Sequence, residues 1–305
     1  IELAKKMIQA AANSGADAVK FQTFQASDIA LPTSSHYNLI KQGELTEEQH
    51  AELFTTAQNK NVDFLSTPFS ADGVDLLNNI GIGAFKVASM DCTNKPLLKR
   101  IAQTGKPLYL STGMAELHEM ADTIHFLNHN ACKEITLLHC IAHYPAKAEE
   151  LNLDAIPYLK SLFNIPIGYS DHYPGVEACI AAAMNGAEVI ETHFTLDKTW
   201  PGGDHNHSAD PDDLKHLKQT LDLYRTMQGT REKLFNRPDR DCAKDFRRGV
   251  YAAVDLNAGK ILQEKDLFCT RPASDFTPDD IQNLIGRSLG KNIPANHALT
   301  REAVG

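Results

Sequence analysis

From the N-terminus to about Gly229, short β-branched or apolar runs alternate with helical patterns. That alternation restricts the chain more than any other feature, because it belongs to repeated βα units around a parallel sheet. Seven runs read as strands, at residues 18–23, 63–69, 84–89, 107–112, 135–142, 166–172 and 189–195. Segments able to form helices follow them, among them 46–59, 95–104, 117–128, 155–163, 176–185 and 211–227. An amphipathic helix at 2–14 precedes the first strand. A closed barrel of this type has eight strands and about 250 residues. The pattern therefore predicts an α/β chain built on a (β/α)8 TIM barrel over residues 1–229, with its first strand missing from this chain. Residues 228–244 are charged, contain Pro238 and lack periodicity, so a linker is expected over 230–245. A small domain follows over 246–305, with strands at 249–254 and 267–271, a turn at Asn257-Ala258-Gly259 and a helical stretch at 278–285. Its roughly 60 residues make a small core, which is expected to lean on the barrel or on a second subunit.

The composition narrows the functional classes. A net charge of -9 over 305 residues argues against nucleic acid or an anionic membrane as the main partner. No apolar run approaches the roughly 18 residues of a membrane span, and no leader resembles a signal peptide. Six cysteines without a CxxC pair read as reduced thiols in a cytoplasmic protein.

In a barrel of this type the active site lies at the C-terminal ends of the strands, and here those ends are polar. Side chains alternate along a strand, so Lys20 and Gln22 share one face while Val19 and Phe21 pack on the helices. By the same parity Lys86 points inward. Inward ammonium groups require an anion, either a ligand or a structural carboxylate such as Glu191. His172 and His193 end consecutive strands about 4.8 Å apart and are the metal-ligand candidates. Asp204 lies in a Pro-Gly-Gly turn, as an Asx-turn residue or a substrate ligand. His205 and His207 read as surface-loop residues. Ser66, Thr67, Ser89, Ser111, Thr112, Tyr144 and Ser170 recur near the same plane and, with the lysines, could hold a small phosphate ester. Cys140 shares the inward parity and reads as a buried thiol. No Walker or dinucleotide fingerprint is present.

The strings GADAVKFQTF, FLSTPFS, FKVASMDCTN, GKPLYLSTGM, LLHCIAHYP, IGYSDH and ETHFTLDKTWPGGDH, in this order, resemble the sialic acid synthase family. The segment from RRGVYAAVDLNAGK to IQNLIGRSL resembles that family's antifreeze-like (SAF) domain. The resemblance implies an enzyme that condenses phosphoenolpyruvate with an N-acetylated aldose, N-acetylmannosamine-like, breaking the carbon–oxygen bond of the phosphate ester. It implies His172 and His193 as ligands of Mn²⁺, with Mg²⁺ or Co²⁺ as alternatives. Lys20, Gln22, Thr67, Lys86, Ser89 and Ser170 would hold phosphoenolpyruvate; Asp91, Tyr144 and Asp204 would face the sugar, and Arg271 would reach its N-acetyl end. It also implies a homodimer in which each small domain caps the partner's site. Three departures stand out. Nothing like the family's opening AEIGxNHxG precedes Ile1, Ala142 replaces a frequent Asn, and Asp91 replaces a frequent Glu. The alternatives are a synthase for legionaminic or pseudaminic acid, and a non-catalytic carbohydrate-binding relative.

Overall fold

The structure, a computed structural model, describes residues 1–304 other than Lys133, Arg231, Leu234 and Phe235. Seven strands form one parallel sheet in sequential order: β1 (Ala18–Thr23), β2 (Asp63–Pro68), β3 (Phe85–Val87), β4 (Leu108–Ser111), β5 (Ile135–Cys140), β6 (Ile167–Asp171) and β7 (Ile190–Thr192). Helices alternate with these strands in the (β/α)8 barrel manner. The edges of the sheet are β1 and β7, and the place of an eighth strand lies between them. Side-chain parity follows the expected pattern. Val19 and Phe21 pack into the shell between sheet and helices, where Phe21 stacks on Phe64 with ring centroids 5.4 Å apart. That leaves Lys20 and Gln22 on the opposite, inner face.

The helices are set by local signals. Thr46 caps Glu47–Asn59, with its side chain accepting from the Gln49 amide, and Asp210 caps Pro211–Gln228 by accepting from Asp212 and Asp213. Each strand delivers its last residues to the same end of the barrel. At β3 the strand stops at Val87, short of the expected 89, because Ser89–Asp91 turn into a 3-10 helix closed by Asp91 N to Ala88 O. That turn carries Asp91 into a buried position.

The chain divides into two compact units, Ile1–Gly229 and Thr230–Gly305. The second has its own core, with Val250, Leu256, Leu262, Leu284, Leu289 and Leu299 at 2% exposure or less. Its strands β8 (Gly249–Ala252) and β9 (Leu267–Thr270) pair antiparallel. Part of the expected linker is helical, at Arg237–Phe246. Asn236 accepts from the Asp239 amide and Pro238 sits in the first turn, both helix-start signals. None of its residues is buried, and its charge-rich composition is what a linker would also show. All six cysteines are free thiols. Among the described residues no helix is long and apolar enough to cross a membrane.

Candidate active site

The inward face of the barrel collects charge where apolar packing is expected. Lys20 Nζ lies 3.2 Å from Glu191 Oε1, and Lys86 Nζ lies 3.4 Å from Glu191 Oε2. Glu191 therefore bridges two ammonium groups, the structural partner that parity allowed. Burial opposes its ionisation, but Lys20 and Lys86 outweigh burial and hold its carboxyl well below the usual carboxylate range. Lys86 is 4% exposed, and burial depresses its ammonium below the ordinary lysine range. It also donates to Ser111 Oγ at 2.7 Å and Val87 O at 2.9 Å.

Around this triad the strand register sets Cys140 beside Ser170 and Ser170 beside Glu191. Ser89 Oγ accepts from the Gly113 amide at 3.0 Å and donates to Cys140 Sγ at 3.6 Å. A Cβ at Gly113 would lie 2.8 Å from Ser89 Oγ and 3.3 Å from Ala142 Cβ, so a side chain there would displace the Ser89 hydroxyl. Ala142, one of the departures, thus borders Ser89. A cavity of about 310 Å³ opens beside Ser89, lined by Met90, Thr93, Met114 and Glu119 among others.

Imidazoles occupy the neighbouring sector. The Tyr144 ring, in the loop after β5, lies 4.0 Å from His172 and 6.2 Å from both His193 and His207. His193 is 5.2 Å from His172 and 5.3 Å from His207, centroid to centroid. His172 Nδ1 donates to the Ile141 carbonyl at 2.7 Å. A carbonyl can only accept, so the neutral ring keeps its Nε2 lone pair for a ligand. Burial pushes both His172 and His193 down, His193 to about 4. Neutral imidazoles with a free lone pair are what a divalent ion requires. Asp204 is exposed, with Oδ2 3.6 Å from His193 Nδ1. Donor atoms of His193, Asp204 and His207 all lie within 4.8 Å of one another.

Among the described residues, the buried side-chain nitrogen and oxygen atoms without a hydrogen-bond partner are Thr67 Oγ1, Asp91 Oδ2, both Glu191 oxygens and His207 Nε2. All belong to this end of the barrel. The Glu191 oxygens are ion-paired with the two lysines, whereas leaving Thr67 Oγ1, Asp91 Oδ2 and His207 Nε2 unpaired costs about 1–3 kcal/mol each, so their concentration in one place marks a site built to receive polar ligands. Burial raises the Asp91 carboxyl, against the opposing hydrogen bond from Asn94 at 2.8 Å.

Several expectations change. Ser66 faces the helices and not the site: it donates to Thr23 Oγ1 at 2.7 Å, and Thr23 donates in turn to His50 Nε2 at 2.9 Å. Thr112 is spent on the Leu138 carbonyl. His207 is 2% exposed, not a surface-loop residue. His205 is half-buried, bonded to Thr195 Oγ1 at 2.8 Å. Arg271 belongs to the second unit, where its guanidinium lies 5.6 Å from the Phe246 ring centroid. Glu191, expected as a structural partner of the lysines, sits within the candidate site itself. Its spacing of two from His193 was the signal that it faces the same interior.

Residues 7–233 match the NeuB family and residues 247–304 match the SAF domain. An N,N'-diacetyllegionaminic acid synthase of Campylobacter jejuni is 39% identical over 96% of this chain and 92% of its own length. An N-acetylneuraminate-9-phosphate synthase of Mus musculus is 32% identical over 100% of this chain and 89% of its own. The crystal structure of an N-acetylneuraminic acid synthetase from Leptospira borgpetersenii superposes with a TM-score of 0.76 at 34% identity, covering 79% of this chain and 84% of that one.

Proposed function

The chain belongs to the NeuB family, the sialic acid synthases with an antifreeze-like SAF domain, and from that premise we propose that it condenses phosphoenolpyruvate with an N-acetylated aldose. The product is a nonulosonic acid plus inorganic phosphate. The observation that carries this reading is the cluster of unpartnered buried polar atoms between a lysine pair and an imidazole group.

Each sector has a task. Lys20 and Lys86 meet the negative charge of phosphoenolpyruvate, displacing part of their contact with Glu191. Ser89, Ser170, Gln22 and the free Thr67 hydroxyl supply hydrogen bonds to its carboxylate and phosphate. Asp91, with an unpaired Oδ2, faces the sugar hydroxyls together with Tyr144 and Asp204. The half-exposed Tyr144 ring, tilted against His172, forms a wall against which the open-chain sugar lies. His172 and His193 would hold a divalent ion, Mn²⁺ being our assignment, whose chemistry is Lewis-acid polarisation of the aldehyde oxygen. The Nε2 lone pair of His172 and the neutral state of both imidazoles fit such an ion. Bond changes are confined to the substrates. C3 of phosphoenolpyruvate bonds to the aldehyde carbon, water adds at C2, and the C2–O bond breaks to release phosphate. The protein's contribution is positioning and fixed charge.

The cavity beside Ser89 favours a second reading of the acceptor. Its two methionines, 51% and 72% exposed at Met90 and Met114, offer an apolar flank suited to a deoxy, doubly N-acetylated sugar. The legionaminic acid synthase similarity points the same way. The test is product mass after incubation with phosphoenolpyruvate, Mn²⁺ and a panel of mono- and di-N-acetylated aldoses. A sugar acid from one class alone assigns the acceptor; carbohydrate binding without any phosphate release would leave a binding protein.

A further inference from the structure

We propose that the divalent-cation site of His172 and His193 extends to Asp204 and His207, with His207 as a direct ligand. The proposal deepens the reading above, on which it rests for placing an ion at this end of the barrel.

The loop after β7 is what builds the site. Phe194 and Ala209 form a parallel bridge, with Ala209 N donating to His193 O at 2.8 Å and Thr195 N to Ala209 O at 2.9 Å. The chain thus leaves β7, travels out and returns alongside His193. Within the loop, Asp204 O accepts from His207 N, Ser208 N and Ser208 Oγ, at 3.3, 3.1 and 2.7 Å. This turn sets His207 beside the Asp204 side chain. A loop that ran over the surface would leave His207 in water; here its side chain is fully buried.

The orientation of the ring is informative. His207 Nδ1 lies 3.0 Å from Asn206 Oδ1, an acceptor, so Nδ1 carries the proton and Nε2 the lone pair. Nε2 has no hydrogen-bond partner, and it faces Asp204 Oδ1 at 3.9 Å. Two acceptors facing one another repel unless something positive lies between them. At 3.9 Å the separation is too long for a shared proton and suits a metal ion with bonds of roughly 2.1 Å on each side. His193 completes the set from the end of β7, and the ring of His172 borders the same space. Imidazoles with one carboxylate are the donor set of borderline first-row ions, in contrast to the all-oxygen shells that Mg²⁺ prefers. A third protein ligand should also hold the ion without substrate.

The test is titration of chelator-stripped protein with Co²⁺ and with Mg²⁺, without substrate, followed by calorimetry and by the visible absorption of bound Co²⁺. Wild-type protein, His193→Ala, His207→Ala and the volume-conserving His207→Gln are compared, with circular dichroism to select folded variants. The expected result is Co²⁺ bound in preference to Mg²⁺. Loss of His207 should raise the Co²⁺ dissociation constant at least about tenfold, the lower end of what even an outer partner contributes, and change the visible bands. Unchanged affinity and spectrum in folded His207→Gln, with His193→Ala impaired, would overturn the assignment of His207 and leave the two-histidine reading standing. If His193→Ala also binds Co²⁺ like wild type, the ion is elsewhere and both fall.

Discussion

The Lys86 ammonium is enclosed by Ser111, the Val87 carbonyl and Glu191, so its charge is almost entirely out of water. If it serves phosphoenolpyruvate, Lys86→Met should weaken that substrate's apparent constant by about 2–5 kcal/mol, the usual cost of removing one partner of a buried charged contact. The sugar constant should change little, and steady-state kinetics with each substrate varied in turn separates the two. A merely structural lysine would lower the melting temperature and leave both constants unaltered. His193 supports a second prediction, on pH. Its folded-state value of about 4 lies below the ordinary histidine value of about 6.5. The unfolded chain therefore binds more protons between these limits, and stability must fall as pH drops from about 6.5 towards 4. In metal-free protein, His193→Gln should flatten part of that slope in a series of melting curves; His172 and His139, which burial also depresses, contribute in the same direction. An identical slope in the variant would show that His193 titrates normally. Lys20, Lys86, His172 and His193 were legible in the sequence because strand parity is local. The burial of His207 was not, because it depends on a loop that departs at Phe194 and rejoins at Ala209.

At the scale of elements, β6 shows how the barrel fixes its catalytic end. Asp171 points away from the interior and accepts from Tyr169 OH at 2.8 Å, Tyr173 N at 3.0 Å and Cys179 Sγ at 3.1 Å. It ties the strand end to the helix Glu177–Met184 and to the turn that follows His172. Asp171→Ala would strand these donors, at about 1–3 kcal/mol for each one left buried without water. The expected outcome is a loss of several kcal/mol in chemical denaturation; a loss under about 1 kcal/mol would mean that the three contacts are replaceable. Strand positions were readable to within three residues, since apolar runs bounded by turns fix them. The helix Arg237–Phe246 lies in a stretch that reads as a linker because it is rich in charge and buries no residue, so burial gives no signal there.

For the whole molecule, the second unit raises the question of which barrel it serves. Arg271 is exposed, with its guanidinium 5.6 Å from the Phe246 ring centroid. Our reading is that the small domain acts on the partner's site in a two-fold dimer. Co-folding His193→Ala with Arg271→Ala should then restore about a quarter of the sites, because half of randomly paired dimers are mixed and each holds one intact site of two. Mixed dimers without activity, when each variant alone is inactive, would mean that Arg271 serves its own subunit or none. The central claim is that this barrel joins phosphoenolpyruvate to a sugar aldehyde with cleavage at C2–O. The direct measurement uses phosphoenolpyruvate with heavy oxygen at the bridging position, Mn²⁺ and an N-acetylated aldose, with mass analysis of both products. The account predicts a sugar acid heavier than the aldose by one pyruvic acid, formed in equal amount with phosphate that carries the label. Label retained in the organic product, or phosphate released without a new sugar acid, would contradict it.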